Sequence, residues 1–158
     1  TILPCDNGHH SQKVFMHSNL FKTLFMELEL TANTVVRDVK KQFQSAFPFL
    51  KIEFFKYAHQ RGQGSPLKDK VKGSERLIDV TGVLKEGKFS LDPSFTVAAF
   101  EEKMQQDHGL PVQVFRKSGD LWLETVQTDG LTLEAQNQMG EASTSDTRIR
   151  FNSFTLFL

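Results

Sequence analysis

Met26-Glu27-Leu28-Glu29-Leu30 alternates apolar and acidic residues; after Thr34-Val35 an amphipathic run leads to Phe47-Pro48, and Leu50-Lys51-Ile52-Glu53-Phe54-Phe55-Lys56 alternates again. Alternation with period two fits a half-buried strand, whereas Val35 or Val36, Val39, Phe43 and Phe47 recur at the spacing of one helix face. The stretch therefore predicts strand, helix, strand. About sixty residues later the same order returns in Lys88-Phe89-Ser90-Leu91, Thr96-Val97, Phe100, Met104, Gly109, Pro111 and Val112-Gln113-Val114-Phe115-Arg116. This internal duplication, more than any single element, decides the fold class.

Boundary residues support the same division. Thr31-Ala32-Asn33-Thr34 supplies a turn and a helix N-cap, and Pro48 stops the first helix. In the second copy Thr96 can cap the helix and Gly109 stands at its C′ position. Ser118-Gly119-Asp120 makes a hairpin turn into a strand over residues 121–127. Residues 132–139 read as a short helix ended by Gly140, loosely corresponding to the Ser74 to Val80 segment of the first copy.

Two βαβ units in series predict an α+β fold. One plan is ferredoxin-like: a four-stranded antiparallel sheet with both helices on one face. Its core would join Val39, Phe43, Phe47, Phe100 and Met104 to Leu28, Leu30, Ile52, Phe54, Phe89, Leu91, Val112 and Val114. The alternative is two tandem β-grasp (ubiquitin-like) units, each pairing its strands around one helix and using the short helix that follows. The long linker between copies and the added hairpin strand favour the second plan; the small size of each unit counts against it. Along the chain this gives a poorly patterned leader at 1–20, a first repeat at 21–84 with a basic Gly-rich loop at 58–73, and a second repeat at 85–142 with its hairpin strand and short helix. An extension follows at 143–158, strand-like and apolar over 148–158.

Composition bounds the function. With 158 residues, 39% apolar and 24% charged, the chain has a globular composition and enough length for a real core. Fifteen Phe accompany one Trp and one Tyr, so its aromatic surface offers stickiness rather than hydroxyl chemistry. The single cysteine, Cys5, excludes an internal disulfide and a Cys-rich zinc site, and fits a reducing compartment. Cys5, His9, His10 and His17 form the nearest approach to a metal constellation but lack the paired frame that fixes ligands on one element. No apolar run reaches membrane-spanning length and no signal-peptide pattern is seen, so no membrane partner is expected.

Zero net charge hides an asymmetry. Residues 1–91 carry 14 Lys/Arg and 9 Asp/Glu, a balance of +5, whereas residues 92–146 carry 3 and 10, a balance of −7. Such halves favour repeats that face one another or a head-to-tail partner, and argue against the whole protein lying flat on nucleic acid.

Three functions are weighed on these residues. Phe55 and Phe115 are read as equivalent outward residues, each followed by a base, Lys56 and Arg116, and joined by Tyr57 and Trp122. An open sheet face of that kind predicts a non-enzymatic module that binds a protein partner or itself. The loop carrying His59, Arg61, Lys68, Lys70 and Lys72 is the alternative, an anion or nucleic-acid site built from glycine-loop amides and cations. Gly62-Gln63-Gly64-Ser65 is not a P-loop, because no Gly-Lys-Ser/Thr follows. An enzyme acting on a polar substrate is the weakest reading. Ser65, Asp69 and His59 share a loop without forming a triad, and Asp107-His108 ends a helix where a cation is favoured anyway. No catalytic residue, metal ligand or cofactor is assigned.

A wider resemblance rests on Thr34-Val35, Phe47-Pro48-Phe49-Leu50-Lys51-Ile52-Glu53-Phe54-Phe55-Lys56, Gly64-Ser65-Pro66 with Lys68-Asp69, Leu110-Pro111-Val112-Gln113-Val114-Phe115-Arg116-Lys117-Ser118-Gly119, Trp122-Leu123-Glu124-Thr125, Glu134 and Gln136-Asn137. Over residues 26–142 the chain resembles a small family of bacterial cytosolic proteins that carries no assigned activity. The resemblance implies a functional core with those limits and a cytoplasmic location, and leaves the mechanism open.

Overall fold

The computed structural model describes the backbone of residues 26–58 and 63–154, with side chains described through Ser145. The Cys5, His9, His10 and His17 group and the leader at 1–20 lie outside the described residues. The elements are β1 (Met26–Leu30), α1 (Val36–Ala46), β2 (Leu50–Phe54), α2 (Leu77–Thr81), β3 (Gly87–Leu91), α3 (Val97–His108), β4 (Val112–Ser118), β5 (Leu121–Glu124) and α4 (Leu133–Phe154). The fold is α+β.

Strand pairing differs from both sequence-based plans. β1 pairs with β3 in a two-stranded antiparallel sheet, and β2, β4 and β5 form a second antiparallel sheet in that order. Each strand of the first copy thus pairs with its equivalent in the second, rather than within its own copy or in one four-stranded ferredoxin-like sheet. Parallel pairing within a copy tends to need strands that are apolar on both faces, and β1 is not: Glu27 and Glu29 are exposed between buried Leu28 and Leu30. An antiparallel ribbon leaves that face in water, where Lys88 Nζ lies 3.1 Å from Glu27 Oε2.

The registers reveal the symmetry. Leu28 faces Phe89, 61 positions later, and Ile52 faces Val114, 62 positions later. Antiparallel pairs centred on equivalent residues relate the two copies by a local twofold. The extra position arises in α3, which has 12 residues against 11 in α1. Gly109 closes it with φ of 71° and an N–H donated back to the Gln105 and Met104 carbonyls. Only a residue tolerant of the left-handed region ends a helix this way at no cost.

Both helix stripes and both sheets contribute to one core. Every residue expected there, from Leu28 to Val114, is buried in a single cluster. Phe100 occupies its middle, with ring centroids 5.2 Å from Phe43 and 5.6 Å from Phe89.

The copies also repeat their capping. Val36 N–H donates to Glu75 O and Leu77 N–H to Thr34 O; in the second copy Val97 N–H donates to Leu131 O and Leu133 N–H to Phe95 O. Thus α2 docks on the start of α1 as α4 docks on the start of α3, which makes the Ser74 and Thr132 segments structural equivalents. Thr96 caps α3 as expected, accepting from Ala99 N at 3.1 Å. Thr34 does not cap α1. The N-cap is Val35, and the Thr34 hydroxyl instead holds the preceding turn by accepting from Thr31 N and donating to Glu29 O.

Two expectations at the C-terminus are corrected. α4 continues through Gly140, because this glycine allows close approach: a Cβ there would stand 2.7 Å from Phe49 Cβ. The strand expected at 148–158 is helical as far as Phe154, an extension of α4.

Candidate functional site

The outward face of the β2-β4-β5 sheet and its two outer edges hold most of the residues singled out by sequence. β2 carries one edge. Residues that read as an irregular loop run beside it: a 3-10 turn at Leu67–Asp69 leads into an antiparallel pairing in which Lys56 N–H donates to Asp69 O and Val71 N–H to Phe54 O. Upstream, Ser65 N–H donates to Gln113 Oε1 on β4, and the Glu124 carboxylate of β5 occupies the space a Gly64 side chain would need. The segment from Gly64 to Val71 therefore crosses the sheet from β5 to the far side of β2. It covers the face that the alternating pattern leaves open.

That crossing corrects the central aromatic expectation. Phe55 is fully buried, and Phe115 is 8% exposed. Nor are they equivalent. The register pairs Phe115 with Lys51 and makes it the counterpart of Glu53, while Phe55 lies beyond β2 opposite Lys70. Period-two reasoning placed both correctly off the main core, but a long-range covering segment leaves no local signal.

In place of an exposed aromatic pair, the outward face holds an ion cluster. Glu53, whose side chain is 5% exposed, receives Lys40 Nζ at 2.6 Å, Lys70 Nζ at 3.0 Å and Lys51 Nζ at 3.5 Å. Burial pushes its carboxyl pKa up, but hydrogen bonds from Lys40 and Lys70 with their charges outweigh this and hold it below the ordinary Glu value. Lys51 also lies 5.2 Å from the Phe115 ring centroid and 5.0 Å from that of Trp122. Lys40, Lys51 and Glu53 were not singled out from sequence, although an acidic residue between Ile52 and Phe54 in a lysine-rich region was a usable signal.

The remaining predicted residues scatter. Lys56, Tyr57, Lys68 and Lys72 are exposed. Arg116 is half-buried and turned towards α4, with Nη1 3.1 Å from Gln136 Oε1 and 3.5 Å from Met139 Sδ. Trp122 is half-buried beside Lys51, and His59 and Arg61 lie outside the described residues.

The other edge of the sheet is β5. Gly119, at φ of 56°, makes the expected hairpin turn, but the strand ends at Glu124 rather than residue 127. Thr125 turns its hydroxyl onto Val114 O at 2.8 Å, and Glu101 Oε1 accepts from Val114 N at 2.7 Å, so side chains complete β4 where β5 stops. Leu121 and Leu123 are 67% and 41% exposed. Among the described residues, the outer backbone edge of β5 has no strand partner. A cavity of about 330 Å³ lies between α3 and the start of β4, bordered by Glu101, Glu102, Gln105, Gln106, Pro111 and Val112.

The twofold makes the two edges comparable position by position. Lys40 and Lys41 of α1 correspond to Glu101 and Glu102 of α3, so equivalent helix positions carry opposite charge. Among the described residues no group of three His, Cys, Asp or Glu is disposed to hold a metal ion. His108 is part of the packing, with Nδ1 donating to Lys85 O at 2.8 Å and its ring against Phe89. No helix among the described residues is long and apolar enough to cross a membrane. No family model matches the chain, and comparison with curated proteins and with solved structures likewise returns no match.

Proposed function

We propose that this protein is a non-enzymatic interaction module that self-associates through the β5 edge of its sheet. The observation that carries the reading is a β5 edge that has no strand partner among the described residues and is flanked by exposed Leu121 and Leu123. A strand edge offers a row of amides and carbonyls to another chain, and natural proteins ordinarily blunt it or use it. Adjacent leucines add apolar area that a partner would remove from water. Met139, also exposed, approaches Arg116, which lies opposite Leu123 across β4 and β5.

The anion-binding alternative is less well supported, because its cations are partly committed elsewhere. Lys70 serves Glu53 and Arg116 serves α4; Lys56, Lys68 and Lys72 are exposed among the described residues.

Light scattering over a wide concentration range tests the proposal. Average mass should rise with concentration, and Leu121→Lys with Leu123→Lys should abolish the rise while leaving the circular dichroism spectrum unchanged. A protein that stays monomeric at every concentration overturns it.

A further inference from the structure

We infer that the partner of the β5 edge is a second copy of this chain bound head to tail, the acidic β5 and α3 side of one molecule against the basic 68–72 and α1 side of the next. This rests on the self-association reading and adds its polarity. Four observations lead to it.

The first is placement. Residues 69–71 run along one outer side of β2, and β5 runs along the opposite side of β4. The two edges therefore face away from each other. One molecule cannot join them, whereas a neighbour can.

The second is charge at equivalent sites. Lys40 and Lys41 stand where the twofold puts Glu101 and Glu102, and Arg37 stands where it puts Ala98. Chain-wide balances of +5 and −7 for residues 1–91 and 92–146 follow the same division. A backbone that is nearly symmetric has become electrostatically polar.

The third is the match between the two edges. β5 and its turn carry acidic Asp120 and Glu124 around exposed Leu121 and Leu123. Lys68 and Lys72 surround the other edge, with Leu67 beside them 74% exposed. Each edge thus offers leucine beside exposed charge mainly of one sign, acidic at Asp120 and Glu124 and basic at Lys68 and Lys72, with half-buried Asp69 among the lysines and half-buried Arg116 and Lys117 opposite β5.

The fourth concerns the alternative. A symmetric pair of β5 edges would bring two acidic sides together, including Glu102 and Asp120 from both molecules. Like charges across a contact disfavour that arrangement and leave the opposite-sign one. A heterologous contact that does not close on itself grows into an open chain.

Charge reversal supplies the test. One variant carries Lys68→Glu and Lys72→Glu; the other carries Glu102→Lys and Asp120→Lys, all four at exposed positions. In sedimentation velocity the wild type should form a series of species that shortens as salt is raised. Each variant alone should be at least about tenfold weaker in self-association, and an equimolar mixture should recover association. Thermal melting checks that both fold. Self-association by either variant at wild-type strength, a mixture that stays monomeric, or a wild-type association indifferent to salt overturns the head-to-tail contact while leaving self-association through β5 standing. A wild type that is monomeric throughout overturns both.

Discussion

The two outer sides of the sheet lie beside equivalent strands, β2 and β4, and differ in what they hold. Glu53 of β2 and Phe115 of β4 occupy the same place under the twofold. At the first, a carboxylate gathers three lysines and ties down the crossing segment; at the second, aromatic rings of Phe115 and Trp122 flank a single lysine from across the sheet. The chain between strand and docking helix is longer in the first copy, from Phe54 to Leu77, than in the second, from Arg116 to Leu133. That extra length lets the first copy cover its neighbour's outward face, whereas the second spends its shorter connection on a hairpin whose outer edge has no strand partner among the described residues. One edge is tied down by ion pairs and the other has no strand partner among the described residues. The two copies share a core and differ at the periphery.

The largest effect is expected at a residue that both copies share. Phe100→Ala removes the ring that touches both Phe43 and Phe89 and should cost about 3–5 kcal/mol. Urea unfolding should remain a single transition in the wild type and in this variant, because both copies contribute to one core. Two transitions would mean that the copies are independent units.

Glu53→Gln isolates the structural edge. It leaves three lysines converging without a counter-charge, and a loss of about 2 kcal/mol is expected, less than for a fully buried pair because Lys40, Lys51 and Lys70 are partly exposed. The sign of the pH effect follows from the lowered carboxyl. A group whose folded pKa is depressed contributes stability above its unfolded value and loses it as pH falls through the folded one. The wild type should therefore lose stability from the ordinary Glu value near 4.5 downward, and the difference from Glu53→Gln should shrink over that range in acid urea titrations. A difference independent of pH would remove the charge from the explanation.

Trp122→Ala probes the other edge and should cost about 1 kcal/mol, the worth of a contact between a cation and a half-buried aromatic ring. Thermal melts at low and high salt are enough to measure it. A loss as large as that of Glu53→Gln would show that the second edge is as structural as the first.

Several features were legible because they depend on neighbours in sequence. The alternation in Met26–Leu30, the Val39, Phe43 and Phe47 stripe, the Thr96 cap and Gly109 all follow local periods and local backbone needs. Gly140 shows the limit. A glycine after a polar helical run reads as a terminator, yet its reason is Phe49, nearly a hundred residues away in the chain. Phe55 shows it again: it is buried and pairs with Lys70, in a segment that looked solvent-exposed by composition.

The amino-acid sequence by itself determined the strand-helix-strand units, their repetition, the membership of the core and the opposite charge of the two halves, because periodicity and composition act residue by residue. Which strands pair, which face is covered and which edge lacks a strand partner among the described residues emerge from the folded chain. Those outcomes depend on long-range contacts: antiparallel ladders between copies, one carboxylate shared by lysines from α1, β2 and the crossing segment, and a connection just long enough to reach the far side of β2.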